Sequence, residues 1–212
     1  MLLKSYGLLY LHVPKTGGNS ISRLLLPYSS DHMVTSVHQE GVDRFELRGP
    51  DTPHKHATLG EYSRELGAKL KGFKVAISVR DPLDRAISYY FSPHRWMRRR
   101  LLTWAPRPPH WSLDDFKALL PKIPTVASFL RLDGEIRLPD HVVRFEHLAD
   151  DLAAVVDATG IPADLSKLTH VNRSVGNATQ LEAARADPLV SEAVKERFAD
   201  DYELAARMGL WH

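Results

Sequence analysis

The chain has 212 residues, 43% of them hydrophobic, which is enough to bury one substantial core, and its formal charge is close to balanced at +2. That balance argues against a general nucleic-acid binder, so any affinity for anions must come from local clusters. With no cysteine, disulfide scaffolds, thiolate zinc sites and cysteine nucleophiles are excluded.

The opening "MLLKSYGLLYLHV" carries a lysine in a short apolar run. It falls short of the roughly 18 apolar residues a membrane span requires, so it reads as a first strand, and a soluble, cytoplasmic protein is expected. Gly7 to Val13 is mostly apolar and ends at Pro14, as suits a parallel strand buried on both faces. His12 within it reads as structural. Asn19 to Leu26 then has helical spacing and stops at Pro27.

A short strand is predicted over Met33 to Val37. Thr58 and Glu61 form a capping-box pair, predicting a helix from Leu59 to about Leu70. "FKVAISV", Phe73 to Val79, is the clearest strand. Pro82 suits the first turn of a helix predicted over Leu83 to about Met97. Residues 98–111, "RRRLLTWAPRPPHW", read as a surface excursion. Helices are predicted over Leu113 to Leu120 and Thr125 to Leu132, a strand over His141 to Phe145, and a helix over "EHLADDLAAVVDATG" closed by Gly160. A last long helix, about Leu189 to Met208, is expected to pack on the flank of the sheet. Alternating strands and helices predict one α/β domain over residues 1–212, with a mostly parallel central sheet flanked by helices.

Two strand–turn–helix junctions carry chemistry. In "LHVPKTGGNS" the chain leaves a strand through Lys15, Thr16, Gly17 and Gly18 and enters a helix through Asn19 and Ser20. Amides at a helix N-terminus point outward, the helix dipole adds partial positive charge, and glycines let the backbone come close, so such a turn suits phosphate or sulfate. The lysine precedes the glycines, which departs from G-x-x-x-x-G-K-[ST], and no G-x-G-x-x-G occurs. The second junction, "VRDPLDRAISYY", places Arg80 at a strand end and Ser88 in the next helix. A guanidinium fork can grip a phosphate that a hydroxyl completes.

The order "PKTGGNS" after a first strand resembles the 5′-phosphosulfate loop of the sulfotransferases, which use 3′-phosphoadenosine 5′-phosphosulfate (PAPS). "VRDPLDRAISYY" resembles the segment that clamps the 3′-phosphate in that family. "VVRFEHLADDL" and "HVNRS" are similar to later elements of the Golgi-type and bacterial members grouped with the heparan sulfate 2-O-sulfotransferases. The resemblance implies a fold like that of the P-loop nucleotide kinases. It also implies donor contacts from Lys15, Thr16, Gly17, Gly18, Asn19 and Ser20, with Arg80, Ser88 and Arg173 on the 3′-phosphate. Asp81 stands where the family often has Asn, and Asn19 where it often has Thr or Ala; neither position must offer a side chain to phosphate.

Sulfuryl transfer to a hydroxyl needs charge neutralised on the leaving phosphate, for which Lys15 is placed, and a base for the acceptor proton. "HKHATLGEY" lies at a helix start between the two junctions, and bacterial relatives have a similar "KHAT" segment. His56 is the candidate base, His54 the alternate, and Lys55 a candidate sulfonate contact. Arg98, Arg99 and Trp96 lie in a basic, tryptophan-rich stretch suited to gripping an anionic acceptor, with RNA, an acidic membrane or plain solvation of a basic helix end as other readings. The implied product is adenosine 3′,5′-bisphosphate, and the family implies a carbohydrate or small-molecule hydroxyl acceptor. No metal, nucleic acid or membrane span is expected. The competing readings are a P-loop-type nucleotide kinase, which needs a lysine after the glycines, and a non-catalytic module for an anionic nucleotide or glycan.

Overall fold

A computed structural model describes residues 1–35, 45–100, 103–168 and 174–210; at 35, 99, 100, 103, 104 and 106 only the backbone is described. The chain divides into two compact units.

The first unit comprises residues 1–35, 45–80 and 126–171. It opens with β1 (Leu2–Leu3), β2 (Leu8–Leu11) and α1 (Gly18–Leu25). A hairpin follows, β3 (His32–Thr35) and β4 (Phe45–Arg48), then α2 (Leu59–Leu66) and β5 (Lys74–Val79). The remaining elements of this unit lie after residue 125. The central sheet has the order β1-β2-β5-β10, with β10 spanning His141–Arg144. β1 is antiparallel to β2, while β2, β5 and β10 run parallel, with Leu11 opposite Ile77 and Arg144 opposite Val79. This is the mostly parallel, helix-flanked α/β sheet expected from the sequence. Leu8, Tyr10, Ala76 and Val143 pack with Ile21 and Leu24 of α1 and with Leu152 and Val155 of a later helix. Leu9, Leu11, Val75 and Ile77 alternate with them and are equally buried, so the strands lack a solvent face.

The second unit comprises residues 36–44, 81–125 and 172–212. It contains α3 (Pro82–Tyr90), the antiparallel pair β6 (Met97–Arg100) and β7 (Thr103–Pro106), and α4 (Leu113–Leu119). Back in the first unit come α5 (Val126–Leu130), the short pair β8 (Arg131–Leu132) and β9 (Glu135–Ile136), and α6 (Leu148–Thr159) after β10. The second unit ends with α7 (Ala178–Ala186), α8 (Pro188–Arg197) and α9 (Ala199–Arg207). Its core gathers Ala86, Ile87, Tyr90, Phe116, Val190, Val194 and Phe198. At its centre the Arg85 guanidinium donates to Asp201 at 3.0 Å and to the Pro124 carbonyl at 2.8 Å.

Several boundaries differ from the sequence reading. α2 ends at Leu66, and residues 67–72 continue as a 3-10 helix. The helix predicted to Met97 ends at Tyr90, because Pro93 cannot continue it, and the supposed excursion after it begins as the β6–β7 hairpin. The last long helix is two, broken at Phe198, and Val190, Val194 and Phe198 belong to the second core. Residues 36 and 37 of the predicted strand lie outside the described residues. Among the described residues no helix is long and apolar enough to cross a membrane.

Candidate active site

The carboxyl ends of three adjacent parallel strands meet in the first unit, where open α/β sheets bind ligands. β2 runs through His12 and Val13 into the glycine turn, β5 delivers Arg80, and β10 delivers Phe145.

The turn is held by a chain of buried hydroxyls. Thr16 Oγ1 donates to the Val13 carbonyl at 2.8 Å, so the 2.6 Å contact with Ser78 Oγ has serine as donor. Ser78, its proton so used, accepts from the Tyr10 hydroxyl at 2.8 Å. Burial pushes the Tyr10 phenol well above its ordinary value, keeping it a donor. Thr16, expected to face the donor, has its hydroxyl turned inward to bind the loop to β2 and β5.

This anchoring sustains an unusual backbone. Lys15 has φ 69° and Gly17 φ 80°, both left-handed, and α1 starts at Gly18. The opening amides of a helix have no upstream carbonyl within it to bond. The two glycines are required by their neighbours. A Cβ at Gly17 would lie 3.1 Å from the Phe145 ring and 3.2 Å from Leu148, and one at Gly18 would run into the His12 imidazole. Asn19 is half-buried and Ser20 buried.

Two cations share this place. Lys15 is half-buried, and its ammonium is pushed down to about 8 by desolvation and then by the charge of Arg80. The Arg80 guanidinium lies 4.1 Å from the centroid of the Phe145 ring.

The "HKH" segment leads into α2, where Thr58 and Glu61 make the reciprocal capping box expected. His56 Nδ1 donates to the His12 carbonyl at 2.8 Å. A carbonyl only accepts, so the Nδ1 proton is fixed and Nε2 carries the lone pair. Burial pushes His56 down to about 4, outweighing the carbonyl bond that raises it. Its ring meets that of His12 edge-on at 4.7 Å. His12 is buried, held neutral by desolvation, and bonded through Nδ1 to Ser22 Oγ at 3.1 Å, in keeping with a structural histidine. His54 is half-exposed and spends Nε2 on Glu61 at 3.1 Å. Lys55 is buried, its ammonium donating to the Phe45 carbonyl at 3.1 Å and lying 3.8 Å from that ring's centroid. Its amide donates to Glu46.

A family model described as the sulfotransferase family matches residues 1–107 of the 212, just over half of the chain. The chain belongs to the sulfotransferase family. Both junction motifs fall within the matched residues. No curated protein and no solved structure matches this sulfotransferase.

In the second unit of the sulfotransferase, Ser88 is buried in α3 with its Oγ 3.3 Å from Ser174 Oγ. Asp81 is the N-cap of α3, accepting from the Asp84 amide at 3.0 Å, a role that Asn fills equally well. Trp96 corrects the sequence reading. It is 1% exposed, its indole N–H donates to the Tyr90 carbonyl at 2.9 Å, and Arg107 stacks 4.9 Å from its ring centroid, so it belongs to the core rather than to an acceptor surface. Arg98 is exposed on β6. The side chain of Arg99 and the whole of Arg173 lie outside the described residues. Sequence reading missed Ser78 and Phe145. The register of β10 against β5 would have found Phe145, since Arg144 opposite Val79 puts the next residues, Phe145 and Arg80, side by side.

Proposed function

We propose that this sulfotransferase uses PAPS as donor and a hydroxyl of a carbohydrate or small molecule as acceptor, by in-line displacement at sulfur. The observation that carries the reading is the pairing of Lys15 and Arg80 beside the glycine turn and the N-terminus of α1. Two cations that repel one another are stabilised together by a polyanion. Bound PAPS would supply an activated sulfuryl group and leave as adenosine 3′,5′-bisphosphate.

The chain's own residues then do three things. The opening amides of α1 and the Lys15 ammonium hold the 5′-phosphosulfate, with Asn19 and Ser20 at the mouth of the turn. Lys15 offers its full charge where negative charge grows on the leaving phosphate, and such stabilisation carries much of the rate in transfers of this type. His56 takes the acceptor proton at Nε2, its tautomer set by the His12 carbonyl. Burial keeps its neutral form at pH 7, and a bound anion raises its basicity towards the working range. His54, tied to Glu61, is the less favoured base. Arg80, Ser88 and Arg173 are assigned to the 3′-phosphate by family resemblance, and Arg98 and Arg99 to the acceptor by their charge. A cytoplasmic location is part of the same reading.

The test is calorimetric titration with adenosine 3′,5′-bisphosphate beside ADP, on the wild type and on Arg80→Ala, followed by transfer from labelled PAPS to a panel of hydroxyl acceptors. A preference for the 3′-phosphorylated nucleotide that Arg80→Ala abolishes supports the donor assignment. Tighter ADP binding that requires magnesium overturns it in favour of a kinase, and nucleotide binding without transfer to any acceptor favours a binding module.

A further inference from the structure

The geometry points to Phe145 as a positioning residue for Arg80: its ring lies against the guanidinium and orients it toward the donor's 3′-phosphate. This rests on the donor reading above.

The register of the sheet brings the pair together. Arg144 stands opposite Val79, so β10 and β5 deliver Phe145 and Arg80 as neighbours at one end of the sheet. The guanidinium carbon lies 4.1 Å from the ring centroid, well within cation–π reach. An aromatic ring attracts the cation through its quadrupole and not through an oxygen acceptor, so the contact orients the fork without supplying the paired oxygen partners that a phosphate offers.

The ring is itself fixed. The preceding residue, Arg144, is clamped to Asp151 by Nε at 2.8 Å, by Nη2 at 2.7 Å and by its backbone amide at 2.8 Å. The ring also meets the glycine turn, since a Cβ at Gly17 would stand 3.1 Å from Phe145 Cδ2. One aromatic side chain thus sets the guanidinium and abuts the turn that carries Lys15. Ordering Arg80 before the nucleotide arrives lowers the rotamer entropy lost on binding.

The experiment is a double-mutant cycle read by titration with adenosine 3′,5′-bisphosphate and with AMP, which lacks the 3′-phosphate. Phe145 is replaced by leucine and, to keep the shape while removing the negative ring face, by 3,4,5-trifluorophenylalanine; each is made with Arg80 and with Arg80→Ala. With Arg80 present, both replacements are expected to weaken the bisphosphate about threefold to thirtyfold and AMP much less. With Arg80→Ala they should have almost no further effect. Phe145→Tyr, which retains the ring face, should bind as the wild type does. Losses that add in full to that of Arg80→Ala, or equal losses for AMP, would mean that Phe145 merely supports the turn, and would overturn the assignment alone. A wild type indifferent to the 3′-phosphate would overturn the donor reading and this assignment with it. The fluorinated side chain decides the matter if the leucine variant fails to fold.

Discussion

Gly18→Ala tests the idea that the second glycine of the turn exists for a histidine rather than for an anion. The new Cβ would overlap Cδ2, Nε2 and Cγ of His12. That ring is 3% exposed, bonded to Ser22 at 3.1 Å and packed on His56 at 4.7 Å, so it cannot swing aside cheaply. Overpacking a tight core costs about 1–3 kcal/mol, and displacing the imidazole from Ser22 would add about 1–3 kcal/mol for a buried polar group left unbonded. Against this, alanine gains up to about 1 kcal/mol over glycine in helix propensity. The net is a loss of about 1–6 kcal/mol, or roughly 3–18 °C in melting temperature for a chain of this size. Thermal melts of Gly18→Ala, His12→Ala and the double variant measure it. Removing the imidazole makes room for the Cβ, so the double variant should recover about 1–3 kcal/mol relative to the sum of the single losses. A Gly18→Ala protein that melts at or above the wild type, or losses that simply add, would refute the reasoning.

The affinity for adenosine 3′,5′-bisphosphate should fall as pH rises beyond about 8, because the Lys15 ammonium loses its proton there in the free protein. The ligand's phosphates have their second pKa near 6 and are almost fully ionised above pH 7, so titration between pH 7.5 and 9.5 isolates the protein, and Lys15→Arg should flatten the decline. His56→Ala should lower the transfer rate by about 10²–10⁴-fold and leave donor affinity within about twofold, since the base acts on the acceptor; a rate within tenfold of wild type removes His56 from that role. Ser78→Ala orphans the Tyr10 hydroxyl and should cost about 1–3 kcal/mol in denaturant melts, part of which Tyr10→Phe in the same chain should restore.

β2 and β5 were legible because parallel strands buried on both faces read as apolar runs ended by turn residues, and β10 by its paired valines. α2 and α6 were legible at the ends where a side chain or glycine closes them, Thr58 with Glu61 and Gly160. The break between α8 and α9 was not, since Phe198 is neither glycine nor proline and fits the helical spacing on both sides. The β6–β7 hairpin was hidden because its strands carry arginines and a proline in place of alternating apolar residues. At the site, Lys15, the glycines and Arg80 were legible as charges and breaks at strand ends. Trp96 misled because tryptophan among arginines reads equally as surface or core. Phe145 was invisible because one more aromatic after an apolar strand carries no sign of what its ring faces.

The chemistry of the turn also divides differently from what its letters suggest. Thr16 is spent on Val13 and Ser78, and Gly18 on the His12 ring, so neither residue needs an anion to account for it. What they secure is Lys15, a non-glycine residue held at φ 69°, a conformation that costs about 1–3 kcal/mol unless its surroundings impose it. Its ammonium is moreover half-buried beside Arg80, which opposes the charged form. Core packing alone would favour a glycine or an apolar side chain at this position. Backbone strain, desolvation and like-charge repulsion thus converge on one lysine, and a multiply charged anion bound as proposed would offset the last two. The local conflict lies where the proposed chemistry needs a fixed positive charge.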